Sequence, residues 1–186
     1  MSKAVMLSVR PKWCEKICSG EKTIEVRKTR PKMNTPFKCY IYCTLQGCNE
    51  FFRVDLGRDV AKWNRGKWAD RKGNVIGEFT CDRIDRLAPA NEPYGIYDID
   101  DDYVLQTCLE NGALWDYGHG TPLYGWHIST LKIYDKPREL REFKKNNRDC
   151  FYADLGLPKK DCPDCKNSGC FLERPPQSWC YVEEME

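Results

Sequence analysis

Lys22, Glu25 and Arg27 lie within the short segment Gly20-Glu21-Lys22-Thr23-Ile24-Glu25-Val26-Arg27-Lys28, where an ammonium, a carboxylate and a guanidinium are close enough to act together. Such a set can grip an anion through its cations and accept or donate a proton through its carboxylate. Side chains alternate along a strand, so Ile24 and Val26 enter a core while Thr23, Glu25 and Arg27 point the other way, with Lys22 and Lys28 at the ends. A rigid strand places polar groups more accurately than a loop. A solvated sheet face laced with cross-strand ion pairs would carry the same residue types, and so would a stable Lys22–Glu25 ion pair with no chemistry.

A second set of reactive residues is the cysteines, 12 in all. Cys162-Pro163-Asp164-Cys165 bends the backbone so that two thiolates meet one ion, and Cys170 follows closely through Gly169. Cys150 is the candidate fourth ligand of a tetrahedral zinc, with Cys180, His119 and His127 as alternatives. Four thiolates close the coordination sphere, so the zinc is expected to staple a loop and not to catalyse. Cys39 and Cys43 read differently: four residues of strand span about 13 Å, too far for one ion, so both are expected to be small core hydrophobes.

The elements that must position these residues follow from periodicity and breakers. Val5–Arg10 alternates as a strand, Pro11 opens a helix carrying Trp13 and Ile17 on one side, and Gly20 ends it before the strand at 23–27. Strands are also expected at 37–43, 74–81 and 131–134, and a terminal one follows the diproline Pro175-Pro176. One helix is expected within 97–114, stopped by Asn111-Gly112, and a basic helix over 138–148. Residues 46–74 read as an inserted loop in which Trp63 and Trp68 either anchor the excursion or contact bases. The class is α+β, with a small mixed sheet able to close into a barrel.

A chain of 186 residues suits one domain, 1–186, with the 46–74 loop and the cysteine-rich 150–170 segment inserted into it. Net charge is only +2, but residues 1–40 carry ten Lys/Arg against three Glu, and residues 82–116 carry nine Asp/Glu against two Arg. A basic first third suits phosphate-bearing partners, and the acidic segment around Asp98, Asp100, Asp101 and Asp102 either neutralises it or repels them. No run approaches the roughly 18 apolar residues of a membrane span, and the N-terminal apolar stretch is too short for a signal peptide, so a cytoplasmic protein with no membrane partner is expected.

Three patches together resemble a family: Ser19-Gly20-Glu21-Lys22-Thr23-Ile24-Glu25-Val26-Arg27, the strand Val75-Ile76-Gly77-Glu78-Phe79, and Tyr124-Gly125-Trp126-His127 with Leu131-Lys132-Ile133-Tyr134. They look like an ASCH domain of the PUA-like superfamily, of the small stand-alone bacterial and phage kind, over roughly residues 4–135 and the last strand. The resemblance implies a small mixed β-barrel with flanking helices, and a basic cleft that binds RNA or a nucleotide-like ligand around a Gly-x-Lys-x-x-Glu-x-Arg motif. Carried over, the motif residues are Lys22, Glu25 and Arg27. Some relatives hydrolyse the acetyl amide of a modified cytidine with a lysine at the position of Lys22 and a threonine three residues on. Glu25 stands there in this chain, so the hydroxyl nucleophile is missing.

Three functions compete on these residues. The first is an RNA- or modified-nucleotide-binding module, with Lys12, Lys22, Arg27 and Lys28 on phosphate, Glu25 orienting the cations, and Tyr124 or Trp126 stacking on a base; Gln177 and Trp179 are weaker candidates. The second is an amidohydrolase acting on an acylated nucleoside such as N4-acetylcytidine, with Lys22 and Glu25 as the catalytic pair. The third is a zinc-stapled protein-interaction module working through its acidic face.

Overall fold

A computed structural model describes residues 2–45, 71–90, 96–146 and 170–185. In chain order these form β1 (Lys3–Val9), α1 (Pro11–Ser19), β2 (Ile24–Arg27), β3 (Phe37–Cys43), β4 (Val75–Cys81), β5 (Ile84–Leu87), α2 (Asp101–Thr107), α3 (Asn111–Gly118), β6 (Leu123–His127), β7 (Ser129–Arg138), a 3-10 turn (Leu140–Glu142) and β8 (Trp179–Glu183). The chain divides into two compact units, one of residues 1–11, 38–78 and 132–186, the other of 12–37 and 79–131.

The first unit is built on a five-stranded sheet in the order β7-β4-β3-β1-β8. Its centre pairs β1 parallel to β3, Val5 opposite Cys39 through Val9 opposite Cys43, and β8 runs antiparallel along the other side of β1. β1 and β3 are buried along nearly their whole length, so β1 is covered on both faces and is not the half-buried alternating strand read over Val5–Arg10. Ala4, Val5, Met6 and Leu7 are fully buried, and Cys39 and Cys43 are core hydrophobes as their spacing predicts. One packed cluster contains Met6, Tyr40, Tyr42, Val75, Phe143 and Val182. Tyr40 meets Phe143 edge-on at 4.9 Å, and its hydroxyl accepts a hydrogen bond from the Met185 amide at 2.8 Å, so a buried phenol is satisfied without a second side chain.

The second unit carries a three-stranded antiparallel sheet in the order β2-β6-β5, with helices α2 and α3. Val26, Leu87, Leu123, Leu114 and Tyr97 form its apolar cluster, joined by the half-buried Tyr103 and Trp115. Helix α1 starts with Pro11 and buries Cys14 and Ile17 on one side. Gly20 then takes φ +81°, and its amide donates to Ile17 O at 3.1 Å, the left-handed ending that glycine allows at least cost. That stop feeds directly into β2.

Four expectations change. Both sheets are open among the described residues, five and three strands, and the single closing barrel is not seen. The helix expected across 97–114 is two helices, because Cys108 turns left-handed at φ 53° and caps α2; Asn111-Gly112 opens α3 and does not end a helix. The acidic cluster does helical work there: the Asp100 carboxylate accepts from the Tyr103 amide at 2.7 Å, and Asp101 and Asp102 occupy the first turn, where the helix dipole favours negative charge. The basic helix expected from Arg138 is absent up to residue 146. β7 runs on to Arg138, one 3-10 turn follows, and Lys144 and Lys145 pair as bridges with Phe171 and Val182.

Candidate nucleic-acid interface

Strand β2 pairs with β6 so that Ile24 lies opposite His127, Glu25 opposite Trp126, Val26 opposite Gly125 and Arg27 opposite Tyr124; β5 continues the rows with Ile84 opposite Trp126 and Arg86 opposite Tyr124. Directly opposed residues share a face. Ile24, Val26, Leu87 and Leu123 therefore fall on one side, together with Asp85 and His127, and Glu25, Arg27, Tyr124, Trp126, Ile84 and Arg86 on the other. The alternation read from Thr23–Arg27 is the alternation observed.

Burial differs from the sequence expectation. The polar face was expected to lie open to an anion, yet the side chains of Lys22, Glu25 and Arg27 are only 1, 8 and 9% exposed. They are joined through the carboxylate, with Lys22 Nζ 3.5 Å from Glu25 Oε2 and Arg27 Nη2 2.9 Å from Glu25 Oε1. Lys22 has two further neighbours: its ammonium donates to the Thr107 carbonyl at 2.5 Å and stands 5.1 Å from the centre of the Trp13 ring. Thr107 is the last residue of α2, so the lysine sits at the carbonyl end of a helix, where a cation is favoured. The same helix end accepts the Thr23 amide at Gln106 O, 2.9 Å away.

Burial pushes the Lys22 ammonium below the ordinary lysine range; Glu25 opposes that shift and Arg27 adds to it. Two cations against one carboxylate leave the cluster with a positive excess. Replacing such buried ionic groups with apolar ones of similar volume is often neutral or stabilising, so stability alone gives little reason for the cluster to be there.

The other sequence candidates separate by exposure. Trp126 is fully buried and stacks edge-on against Phe37 at 5.8 Å, so it is core and offers no open face for a base. Tyr124 is half-buried. Lys12 is half-buried with its ammonium 4.4 Å from the Trp13 ring centre, and Lys28 is exposed with its own 5.0 Å from that of Tyr117. Trp179 lies in β8, opposite Leu7, and Gln177 just before it, both in the first unit.

Two groups escaped the sequence reading because β5 was not recognised in Ile84-Asp85-Arg86-Leu87, whose only apolar residues are its ends. One is Arg86. The other is a cross-strand cluster at the sheet's edge: His127 Nε2 lies 2.6 Å from Asp85 Oδ2 and 2.9 Å from Arg83 Nη2, and Arg83 Nε is 3.1 Å from Asp85 Oδ1. Asp82-Arg83-Ile84-Asp85-Arg86-Leu87 pairs its charges and spaces its apolar residues three apart, so no period-2 alternation marks this strand.

Of the expected zinc ligands, Cys150, Cys162 and Cys165 lie outside the described residues. Cys170 is buried, with its carbonyl accepting from the Lys145 amide at 2.8 Å. Cys180 sits in β8 opposite Met6, against the first unit's core, where burial pushes its thiol up to about 11. Among the described residues no group of three or more His, Cys, Asp or Glu could hold a metal ion. No helix among them is long and apolar enough to cross a membrane.

No protein-family model and no curated protein matches this chain. Solved structures do. A tyrosine-to-phenylalanine mutant of the ASCH protein from Zymomonas mobilis superposes with a TM-score of 0.54 at 18% identity, over 98% of this chain and 92% of that one. The unmutated ASCH protein of the same organism gives 0.48 at 18% identity, over 97% and 88% of the two chains. The chain therefore has an ASCH-type fold, mixed α+β, as the Gly-x-Lys-x-x-Glu-x-Arg segment implies.

Proposed function

We propose that this chain is an ASCH-type module that binds RNA or a modified nucleotide at the polar face of β2. The observation that carries the reading is the Lys22–Glu25–Arg27 cluster itself, three ionisable groups nearly out of water with a net positive charge. A desolvated cationic site attracts an anion more strongly than the same charges in water, because the local dielectric is low. Glu25 holds both cations in place, and its two oxygens are committed to Lys22 and Arg27. The basic residues 1–40 supply the long-range attraction.

Fluorescence anisotropy with a labelled single-stranded RNA oligomer tests this. Binding is expected at low salt and weaker as salt rises, and Arg27→Gln is expected to weaken it. An affinity indifferent to both would remove the reading.

Hydrolysis of an acylated nucleoside is the second reading, favoured by the lowered proton affinity of Lys22. Against it, both oxygens of Glu25 are committed to Lys22 and Arg27, which leaves neither placed to activate a water. We expect no release of acetate from N4-acetylcytidine by the parent protein. Turnover that Glu25→Gln abolishes would reverse the ranking.

A further inference from the structure

We propose that Tyr124 and Arg86 form a subsite for one nucleotide, the base stacking on the tyrosine ring and its phosphate held by the arginine. This deepens the RNA- or nucleotide-binding reading and rests on it. Arg27, Tyr124 and Arg86 stand directly opposite one another on β2, β6 and β5, one row across a single face of the sheet. Opposed residues in such a row have their Cβ atoms about 5 Å apart, so an aromatic ring lies between two guanidinium-bearing side chains.

The three are used differently. Arg27 is tied to Glu25 at 2.9 Å and buried, which fixes one end of the row. Tyr124 is half-buried, which steadies its ring while leaving surface for a ligand; among the described residues it has no aromatic partner and no side-chain hydrogen bond. Arg86 is exposed, and among the described residues its guanidinium has neither a carboxylate nor a ring to pair with. The contrast with Arg83 is direct, since that guanidinium is bound to Asp85. A ring on a sheet beside an unspent guanidinium suits a base joined to a phosphate, because any base offers a π-face and arginine matches phosphate with a fork of donors.

The probe is a labelled single-stranded oligouridine octamer, titrated over a range of salt against the full chain. Tyr124→Ala is expected to weaken binding by about five- to a hundredfold, the loss of one stacked base. Arg86→Ala is expected to lower the slope of log affinity against log salt by about 0.7, one phosphate contact fewer on a single strand. Arg141→Ala, which removes an exposed charge from the first unit, serves as control and should change neither. Competition by a nucleoside monophosphate would identify a free nucleotide as occupant, and competition by the oligomer alone a strand; either supports the subsite. Pyrophosphate competing as well as the monophosphate would overturn it, since the base would then contribute nothing. If Tyr124→Ala and Arg86→Ala bind like the parent while Arg27→Gln does not, the subsite is wrong and the broader reading stands. A parent that fails to bind the octamer removes both.

Discussion

The three-stranded sheet carries two charged clusters of similar make-up in very different surroundings. Lys22–Glu25–Arg27, at β2, is almost wholly withdrawn from water, whereas Arg83, Asp85 and His127, at the β5–β6 edge, expose 65, 29 and 15% of their side chains. Both centre on one carboxylate between two nitrogen-bearing groups. In the exposed cluster water can replace any lost partner, so its ion pairs contribute little. In the buried one each charge depends on the other two, which makes the cluster costly to assemble and sensitive to every substitution. Chemistry alone would not separate the two, but burial does.

The difference can be broken open by mutation. Removing the central carboxylate should have the largest effect: Glu25→Gln leaves two buried cations uncompensated and is expected to destabilise the protein by about 3–5 kcal/mol in urea unfolding. Gly125→Ala should come next. An added Cβ there would stand 1.9 Å from the Tyr103 hydroxyl, forcing that ring, which meets His127 edge-on, off the sheet at a cost of about 1–3 kcal/mol. Asp85→Asn, the exposed counterpart of Glu25→Gln, is expected to cost under about 1 kcal/mol. An Asp85→Asn loss as large as that of Glu25→Gln would erase the distinction.

The smallest effect is one of pH. Burial holds the Lys22 ammonium below the ordinary lysine value of 10.5, so in the window between its lowered pKa and 10.5 the unfolded chain binds a proton that the folded one does not. Folding then releases a proton, and stability from this group rises with pH across that window. Lys22→Met removes the increment. The difference in unfolding free energy between parent and variant should therefore shift in the parent's favour as pH rises towards 10.5.

Much of this arrangement was legible from residue order. The stop at Gly20 and the alternation through Ile24 and Val26 follow from local rules that the fold obeys, whereas β1, read as alternating over Val5–Arg10, is buried on both faces. Burial of the polar face was not legible, because alternation assigns Glu25 and Arg27 to a side of the sheet without telling what lies over that side. Trp126 shows the same limit: an aromatic beside a charged row reads equally as platform or core, and it is core. The split at Cys108 was hidden because a non-glycine residue rarely takes a left-handed conformation, and the apolar spacing of Val104, Leu105, Cys108 and Leu109 suggested one continuous helix. Strand β5 was missed because four residues with charges at the two central positions look like a turn.

The central claim is that the buried cluster is kept for a ligand and not for stability. The direct measurement is a single variant carrying Lys22→Met, Glu25→Leu and Arg27→Met, assayed side by side for urea unfolding and for binding of a single-stranded RNA oligomer. Apolar replacement of the whole cluster removes its desolvation cost together with its charge, so stability should hold or rise by up to about 4 kcal/mol while RNA affinity is lost. A variant that is markedly less stable, or one that binds RNA as the parent does, would contradict the account.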